Sequence, residues 1–442
     1  MDKQTAAELE IFHAEEGGQS VFELLDFTVT DGGSFALRRR FNSLLTSVEQ
    51  IKRTQKSIQY FIRHYEAWHA IIHHRDILNA EEYLRSNIVP LENNRSGFWY
   101  IAFRFKVNYP DLYHSLQYGV KTLLNGMCNM SKTLETIFDD DTPDIVGELQ
   151  RSISYLLGAN EIVKTLAGRP VEKIGMTAVM KLDGAFRKTY KVECDRLVAA
   201  IYEIDALLSM ANATQEYRLT FPVVSETEKM FTVKNLRHLF LPIGIGNDLE
   251  ITGENFIFLT GPNMSGKSTF IKALGLLVYL AHIGMAIPAA QAQIPFYEDV
   301  FTNINVTDNL HTGVSYFFAE VLRLKELGGQ LQKTPRVFAV FDELFRGTNL
   351  KDAMDCSEMV IEKFLSWKES FFVLASHLTE LAEKMKDHAG ISFRYFESSV
   401  QNDVPVFTYK LREGISDQRL GWLILKHNDV PQLLSHKKTG IQ

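Results

Sequence analysis

The sequence predicts an α-helical domain followed by an α/β domain in which short strands alternate with helices. Three observations predict it. From Val21 to about residue 215, apolar residues recur at intervals of three and four, the spacing that lines one face of a helix. After Ala213 the texture changes to short β-like runs at 219–224, 231–233 and 249–252. Within this second part the apolar run 256–260 breaks into a loop bracketed by glycines and resumes as an apolar helical stretch, the alternation expected of an α/β domain. The expected domains are an N-terminal tail or short helix at 1–20, a helical domain at 21–215 and an α/β domain at 216–442.

With 442 residues the chain is too long for one ordinary core. Its 45% hydrophobic and 23% charged content is that of a soluble globular protein. A net charge of −7 excludes a chain that attracts nucleic acid as a whole, so any DNA contact requires a local basic face or a channel built with a partner. Cys128, Cys194 and Cys356 form no C-x-x-C pair and read as buried thiols in a reducing compartment. Residues 1–5 open no signal or transit peptide. The longest apolar stretch, 275–290, is shorter than a bilayer requires, contains His282, and is interrupted by Gly284 and Pro288. A cytoplasmic location and no membrane contact are expected.

Along the helical half, residues 1–20 are polar and acidic and end in Gly17-Gly18. Arg38, Arg39 and Arg40 form the densest basic run and read as a solvated helix face in preference to a phosphate contact. The stretch 98–107 holds Phe98, Trp99, Tyr100, Phe103 and Phe105. Trp99, Ile101, Phe103, Phe105 and Val107 alternate like a strand within a helical neighbourhood, and core packing is expected in preference to base stacking. Asp139, Asp140 and Asp141 before Thr142-Pro143 read as a loop capping a helix with Pro143 in its first turn, rather than as a metal site. Phe186, Tyr190, Cys194, Leu197, Ile201, Ile204 and Leu208 predict one long amphipathic helix over 184–210. No repeat of fixed period and no catalytic constellation stands out here.

The chemistry lies in the second half. After the apolar run, Gly261 and Gly266 take the first and sixth positions of G-x-x-x-x-G-K-[ST], followed by Lys267, Ser268 and Thr269. This is the phosphate-binding loop pattern, with a strand before it and a helix after it. The glycines let the backbone curl so that its N–H groups converge on one anion, and the helix adds the positive end of its dipole. Lys267 can reach the β and γ phosphates and Ser268 can hold Mg²⁺. A second apolar run, 337–341, ends in Asp342-Glu343, an acid to order the Mg²⁺ shell beside one to polarise the attacking water. A third, 371–375, ends in Ser376-His377, where a histidine can contact the γ-phosphate or the water. Ligands of open α/β sheets bind at such strand ends. Between the first two strands, 307–320 reads as a loop and then a helix start, with Ser315 near its N-terminus and suited to a neighbouring subunit's phosphate. Leu327-Gly328-Gly329-Gln330 resembles the tail of the ABC-transporter signature but lies too close to Asp342, and reads as a helix C-cap with glycine in the left-handed conformation.

Together these residues resemble the ATPase motifs of the MutS DNA mismatch-repair family. The resemblance rests on 261–269, on Asp308-Asn309-Leu310 with Gly313 and Ser315, on the run from Asp342 to Thr348, and on Ala375-Ser376-His377. Beyond the ATPase, 25–30 with Gly33-Ser34 and Leu37-Arg38-Arg39 resembles the start of that family's helical core. Asp205 to Leu208 resembles the end of its lever helix, and Arg237-His238 the beginning of its ATPase domain. The resemblance implies an α-helical core and lever domain followed by an ABC-type P-loop ATPase domain. It implies ATP and Mg²⁺ as cofactors, with Gly261, Asn263, Met264, Ser265, Gly266, Lys267, Ser268 and Thr269 at the phosphates. Ser268 and Asp342 fall at the metal, Glu343 activates water, and His377 senses the γ-phosphate. Ser315 serves the partner's nucleotide, so a homodimer with composite sites is implied, with DNA and other repair or recombination proteins as partners.

The sequence also departs from the family's pattern. Nothing precedes the helical core, so the mismatch-reading and connector domains are expected to be missing, and the helical part is short for a full DNA clamp. Phe345 replaces the usual glycine, Asn349-Leu350 replaces Ser-Thr, and Tyr316 follows Ser315 where Thr is usual. The chain stops soon after Val430-Pro431, implying a truncated dimerisation element. The leading expectation is an ATP-switched protein that binds branched or unusual DNA rather than mispaired bases. Its rival is an ATP-driven protein-interaction switch without DNA contact, and an ABC transporter motor stands third.

Overall fold

Apolar runs of five or six residues make the buried strands of this chain, and glycine loops and helices join them. The structure, a computed structural model, describes all residues except 15–16, 92–96, 160–162, 164–173, 242, 305–315, 402–403, 417–424, 426–429 and 435–442. Residues 1–24, 43–52 and 217–442 form one unit, and residues 25–42 and 53–216 form a second.

The second unit is helical. Its longest helices, Pro110–Ile137 and Lys191–Glu216, each bury an apolar face against shorter neighbours. Lys191–Glu216 is long and apolar enough to cross a membrane by composition, but most of its apolar stretch is buried in the structure. Its Asp205 accepts the N–H groups of Val29 (3.1 Å) and Thr30 (2.9 Å) and the Thr30 hydroxyl (2.6 Å). The Thr30 hydroxyl in turn caps helix Asp31–Phe41 by accepting from Gly33 N–H at 2.9 Å. The single helix expected over 184–210 is instead helix Met176–Gly184, a π-helical turn at Ala185–Thr189, and Lys191–Glu216. Within the π turn Arg187 pairs with buried Asp183 at 2.6 Å and donates to the Ser86 and Ile88 carbonyls, and Tyr83 donates to Asp183 at 3.1 Å.

One further expectation about this unit is corrected. Residues 98–108 are helical, and only the face of Phe98 and Ala102 turns inward. Trp99, Tyr100 and Phe103 are 64%, 52% and 50% exposed, because residues that alternate along a strand spread around a helix. Arg38 and Arg39 lie exposed on helix Asp31–Phe41, a solvated face as expected, and Arg39 and Arg40 also pair with Glu203 on helix Lys191–Glu216. Asp139–Asp141 lead into helix Asp144–Gly158, which starts one residue after Pro143. Arg63 reaches Asp141 at 3.0 Å, and His64 approaches Asp139 at 3.4 Å. Among the described residues no group of three His, Cys, Asp or Glu side chains is placed to hold a metal.

The first unit contains two sheets. Its strands are β1 Val223–Ser225, β2 Phe231–Leu236, β3 Asn247–Ile251, β4 Phe256–Thr260, β5 Gln291–Pro295, β6 Asp299–Asn303, β7 Val337–Asp342, β8 Phe371–Ala375, β9 Ile391–Gln401 and β10 Val404–Glu413. The larger sheet runs β10-β9-β4-β8-β7-β6, parallel from β9 to β6, with β10 antiparallel at one edge. The smaller runs β1-β5-β2-β3. Of the run 219–224, only its last two residues fall in β1; Thr220 bridges to Ile287.

Strands β4 and β8 are buried at every residue, so the large sheet is covered on both faces. Helix Lys267–His282 covers one face. On the other, Phe341, Phe364 and Phe372 stack, with the last two ring centroids 4.3 Å apart. Helix Tyr316–Leu331 runs straight through Gly328-Gly329 with neither glycine left-handed, so the expected C-cap at this pair is not found. Both glycines are exposed, and a Cβ on either would meet nothing within 4 Å, so the helix tolerates them on its solvent face.

The free edge of β6 is covered by the N-terminal helix Lys3–Glu8. Thr302 N–H donates to Thr5 Oγ1 at 3.0 Å, and Ile304 N–H donates to Glu8 Oε2 at 2.9 Å. Thr302 O is taken by the Arg323 guanidinium at 2.8 Å, whose plane lies 3.8 Å over the Phe301 ring. Polar side chains thus close the donors and acceptors that an edge strand leaves open.

Candidate active site

Neighbouring strands β4, β8 and β7 end on the same side of the sheet and deliver three chemically distinct groups. After β4 the backbone turns through Gly261 (φ +142°) and reaches Gly266 (φ +103°), the N-cap of helix Lys267–His282. A side chain at Gly261 would crowd Ser265 Oγ at 3.1 Å, and one at Gly266 would crowd the Tyr409 ring at 3.2 Å, so both positions require glycine for conformation and for space. Met264 is left-handed too (φ +68°) and 70% exposed at the loop's crown beside exposed Asn263. Ser265 is buried, and its hydroxyl finds no hydrogen-bond partner among the described residues. Ser268 and Thr269 are exposed on the first turn of the helix.

Lys267 is 6% exposed, and its ammonium donates to the carbonyls of Gly261 (2.7 Å) and Pro262 (3.0 Å), folded into the mouth of its own loop. Burial lowers its pKa, opposed by the charges of Asp342 and Glu343. Ser268 Oγ donates to Asp342 Oδ2 at 2.6 Å, tying the loop to the end of β7. The next residue, Glu343, is left-handed (φ +69°), with its N–H on the Ala375 carbonyl at 2.7 Å. Its two carboxylate oxygens meet His377 Nδ1 at 2.8 Å and Arg346 Nε at 3.0 Å. Burial alone would raise the Glu343 pKa, but the His377 hydrogen bond and the charges of His377, Arg346 and Lys267 outweigh it and hold the carboxyl below its usual value. The same hydrogen bond raises His377. Among the described residues, three of the seven non-glycine residues with positive φ, Met264, Glu343 and Phe345, lie beside one another here.

The geometry brings Lys267, Ser268, Asp342, Glu343 and His377 together. Ser315 lies outside the described residues, as does 308–313.

Sequence reasoning missed the cavity beside this loop. It measures about 440 Å³ and is lined by His238, Ile243, Asn247, Thr269, Phe396 and Tyr409, among others. Burial pushes His238 down to about 4, leaving its ring neutral and fit to line an apolar slot. The residues come from four separated stretches of chain, so no local pattern marks them. Gly266 and Thr269 of the loop also line it, and Arg237-His238 stands out only as resembling the beginning of the ATPase domain.

The residues around the loop fit a triphosphate and a divalent cation. The buried Lys267 ammonium and the unpartnered Ser265 hydroxyl belong to the glycine loop that opens a helix, and Ser268 and Asp342 present two hard oxygen donors side by side.

Comparison with known proteins places the loop and the strands after it within one family's domain. The sequence profile of MutS domain V matches residues 257–440, beginning within β4. Residues 257–440 are thus a MutS domain V, and the chain is similar to MutS proteins. The DNA mismatch repair protein MutS of Shouchella clausii is 30% identical over 264 residues, 58% of this chain and 30% of that protein. That of Lactococcus lactis subsp. cremoris (strain SK11) is 32% identical over 246 residues, 54% of this chain and 29% of the other. The Thermosipho melanesiensis protein is 30% identical over 293 residues, 65% of this chain and 34% of its own. Each match thus spans about a third of the length of the MutS relative.

Proposed function

We propose that this chain is a MutS-family ATPase whose nucleotide lies on the loop 261–269. The observation that carries this reading is the Ser268–Asp342 bond beside the Glu343–His377 pair, at the mouth of a glycine loop that holds a buried lysine. In this reading Lys267 leaves the carbonyls of Gly261 and Pro262 for the β and γ phosphates, with Asn263, Met264, Ser265, Gly266 and Thr269 around them. Ser268 and Asp342 hold Mg²⁺, which when bound offsets charge on the phosphate oxygens. Glu343 takes a proton as water attacks the γ-phosphorus, and the bond to the β–γ bridging oxygen breaks to leave ADP and phosphate. His377, hydrogen-bonded to that base, senses the γ-phosphate. The adenosine fills the cavity lined by Ile243, Phe396 and Tyr409.

Ser315 is proposed to reach the nucleotide of a second copy, making a cytoplasmic homodimer with composite sites. Helix Lys191–Glu216 would be the lever the nucleotide moves, and DNA of branched or unusual structure the ligand it grips. The matched proteins carry the name DNA mismatch repair protein, which supports DNA as the ligand class.

The test is phosphate release from Mg·ATP together with a mobility-shift panel of linear, mismatched and branched DNA, with and without ATP. Turnover no greater than that of Lys267→Ala overturns the ATPase reading. Failure of every DNA to bind in an ATP-sensitive way overturns the DNA reading, and co-purification with proteins alone then favours a protein-interaction switch.

A further inference from the structure

Strand β10 is an edge strand of the large sheet, and midway along it the ladder to β9 breaks. Phe407 pairs with Ser398 and Leu411 with Phe396, so four steps along β10 face two along β9 and two residues are extra. Within this bulge Tyr409 is left-handed (φ +55°), a conformation that a bulky residue keeps only where its surroundings over-determine it. A bulge re-aims the side chains it carries, and here the Tyr409 ring comes to lie against Gly266 and in the wall of the cavity.

The bulge is held from outside its own sheet by Asn247. This residue is 8% exposed and opens β3, where it pairs with Leu236 of β2 in the smaller sheet. Its Nδ2 donates to the Tyr409 carbonyl at 3.0 Å and to the Ile245 carbonyl at 3.4 Å, and its Oδ1 accepts the Leu411 N–H at 2.8 Å. One residue earlier, the Gly246 carbonyl accepts from Lys410 Nζ at 3.2 Å. On the β9 side, Thr408 Oγ1 donates to the Glu397 carbonyl at 2.8 Å. Tyr409 offers an acceptor and Leu411 a donor, and a primary amide answers both from one short side chain. Asn247 thus takes the part of the neighbouring strand that an edge lacks. It also lines the cavity, but with its donors engaged on backbone carbonyls it has none left for a ligand there.

We infer that Asn247 is a positioning residue for the nucleotide's base: it clamps the β10 bulge and thereby holds the Tyr409 ring on which the base stacks, without binding the nucleotide itself. The groups at the ends of β4, β7 and β8 lie outside this linkage, so Asn247 acts on the grip of the base and not on the phosphates. The nucleotide part rests on the reading that places adenosine in this cavity, whereas the clamp rests on the hydrogen bonds alone.

The experiment separates the two. Amide hydrogen exchange is followed over 406–413 without nucleotide in wild type, Asn247→Ala and Asn247→Asp. Leu411 exchanges about tenfold faster in Asn247→Ala, which removes its acceptor, and stays near wild type in Asn247→Asp, which keeps it. Equal exchange in wild type and Asn247→Ala overturns the clamp. The KM for ATP and inhibition by inorganic triphosphate are then measured in both variants, in Tyr409→Ala and in the two double variants. Each Asn247 variant raises KM about three- to tenfold, the aspartate because it turns an acceptor toward the Tyr409 carbonyl, while inhibition by triphosphate keeps its wild-type strength. In the Tyr409→Ala background the same substitutions add less than about twofold, since the ring they position is gone. An undiminished effect in that background, a parallel loss for triphosphate, or a wild-type KM in Asn247→Asp overturns the positioning role. If Asn247→Ala does not fold, the KM of Asn247→Asp decides. A wild type that does not hydrolyse ATP, or a wild-type KM in Tyr409→Ala, overturns the reading of the nucleotide site, while the exchange result still judges the clamp.

Discussion

His377 Nδ1 lies 2.8 Å from Glu343 Oε1, so the histidine and the carboxylate titrate as a pair. The hydrogen bond raises His377 above 6.5, and the contribution of the histidinium is full below that value and fades as pH rises through its raised pKa. Glu343 is held below 4.5, and its contribution is present above that value and fades as pH falls through its lowered pKa. The ion pair is whole between those limits. In His377→Ala the carboxyl rises, so the acid limb of the kcat–pH profile moves to higher pH than in wild type. A limb that stays in place would remove His377 from control of the base.

Glu343→Gln keeps the shape of the side chain and removes its capacity to take a proton. Turnover should fall by roughly 10²–10⁴ while ATP still binds, and light scattering should show dimer accumulating with ATP. Unchanged turnover would take Glu343 out of the base role.

Lys267→Ala removes the only buried ammonium at the loop mouth among the described residues. Binding of a fluorescent ATP analogue and ATP turnover should both be abolished. Wild-type turnover in this variant would refute the assignment of the phosphates to this loop.

Tyr409 leans over Gly266 from β10 and walls the cavity. An aromatic face against a base contributes about 1–3 kcal/mol. Tyr409→Ala should therefore raise the KM for ATP about tenfold while leaving inhibition by inorganic triphosphate unchanged. Equal loss for both ligands would move the adenosine elsewhere.

Glu8→Ala strips the buried Thr302 hydroxyl and Ile304 N–H of their acceptor. Leaving buried donors unpaired costs about 1–3 kcal/mol, to be read as a lower denaturation midpoint of the unit that contains β6. Tethering a free-standing tail would cost nothing, so an unshifted midpoint would mean the N-terminal helix does not hold the sheet edge.

Much of this arrangement was written in local patterns. The strands 256–260 and 371–375 lie where their apolar runs predict, because a strand buried on both faces favours apolar residues on both. The motif residues next to them stand out since glycine and charge interrupt apolar runs. Other features are set by partners far away in sequence. Thr5 and Glu8 look like an ordinary polar tail until Thr302 and Ile304 are beside them. Trp99 and Phe103 were expected in the core because ring area usually drives burial, yet Phe98 and Ala102 took the inward face. Gly328-Gly329 suggested a stop, but a helix packed through Leu327 and Leu331 continues across exposed glycines.

The seal over β6 also bears on how the chain acquires its fold during synthesis. Residues 1–24 emerge from the ribosome long before strand β6 and Arg323, and a six-residue helix has no stability of its own. The helical unit can condense as soon as residue 216 has cleared the tunnel. The unit with the two sheets must wait for strand β6 and Arg323 and then recruit its own first residues. Mutations or fusions that delay that recruitment should act on the yield of folded protein, through the unpaired strand they leave exposed to other nascent chains.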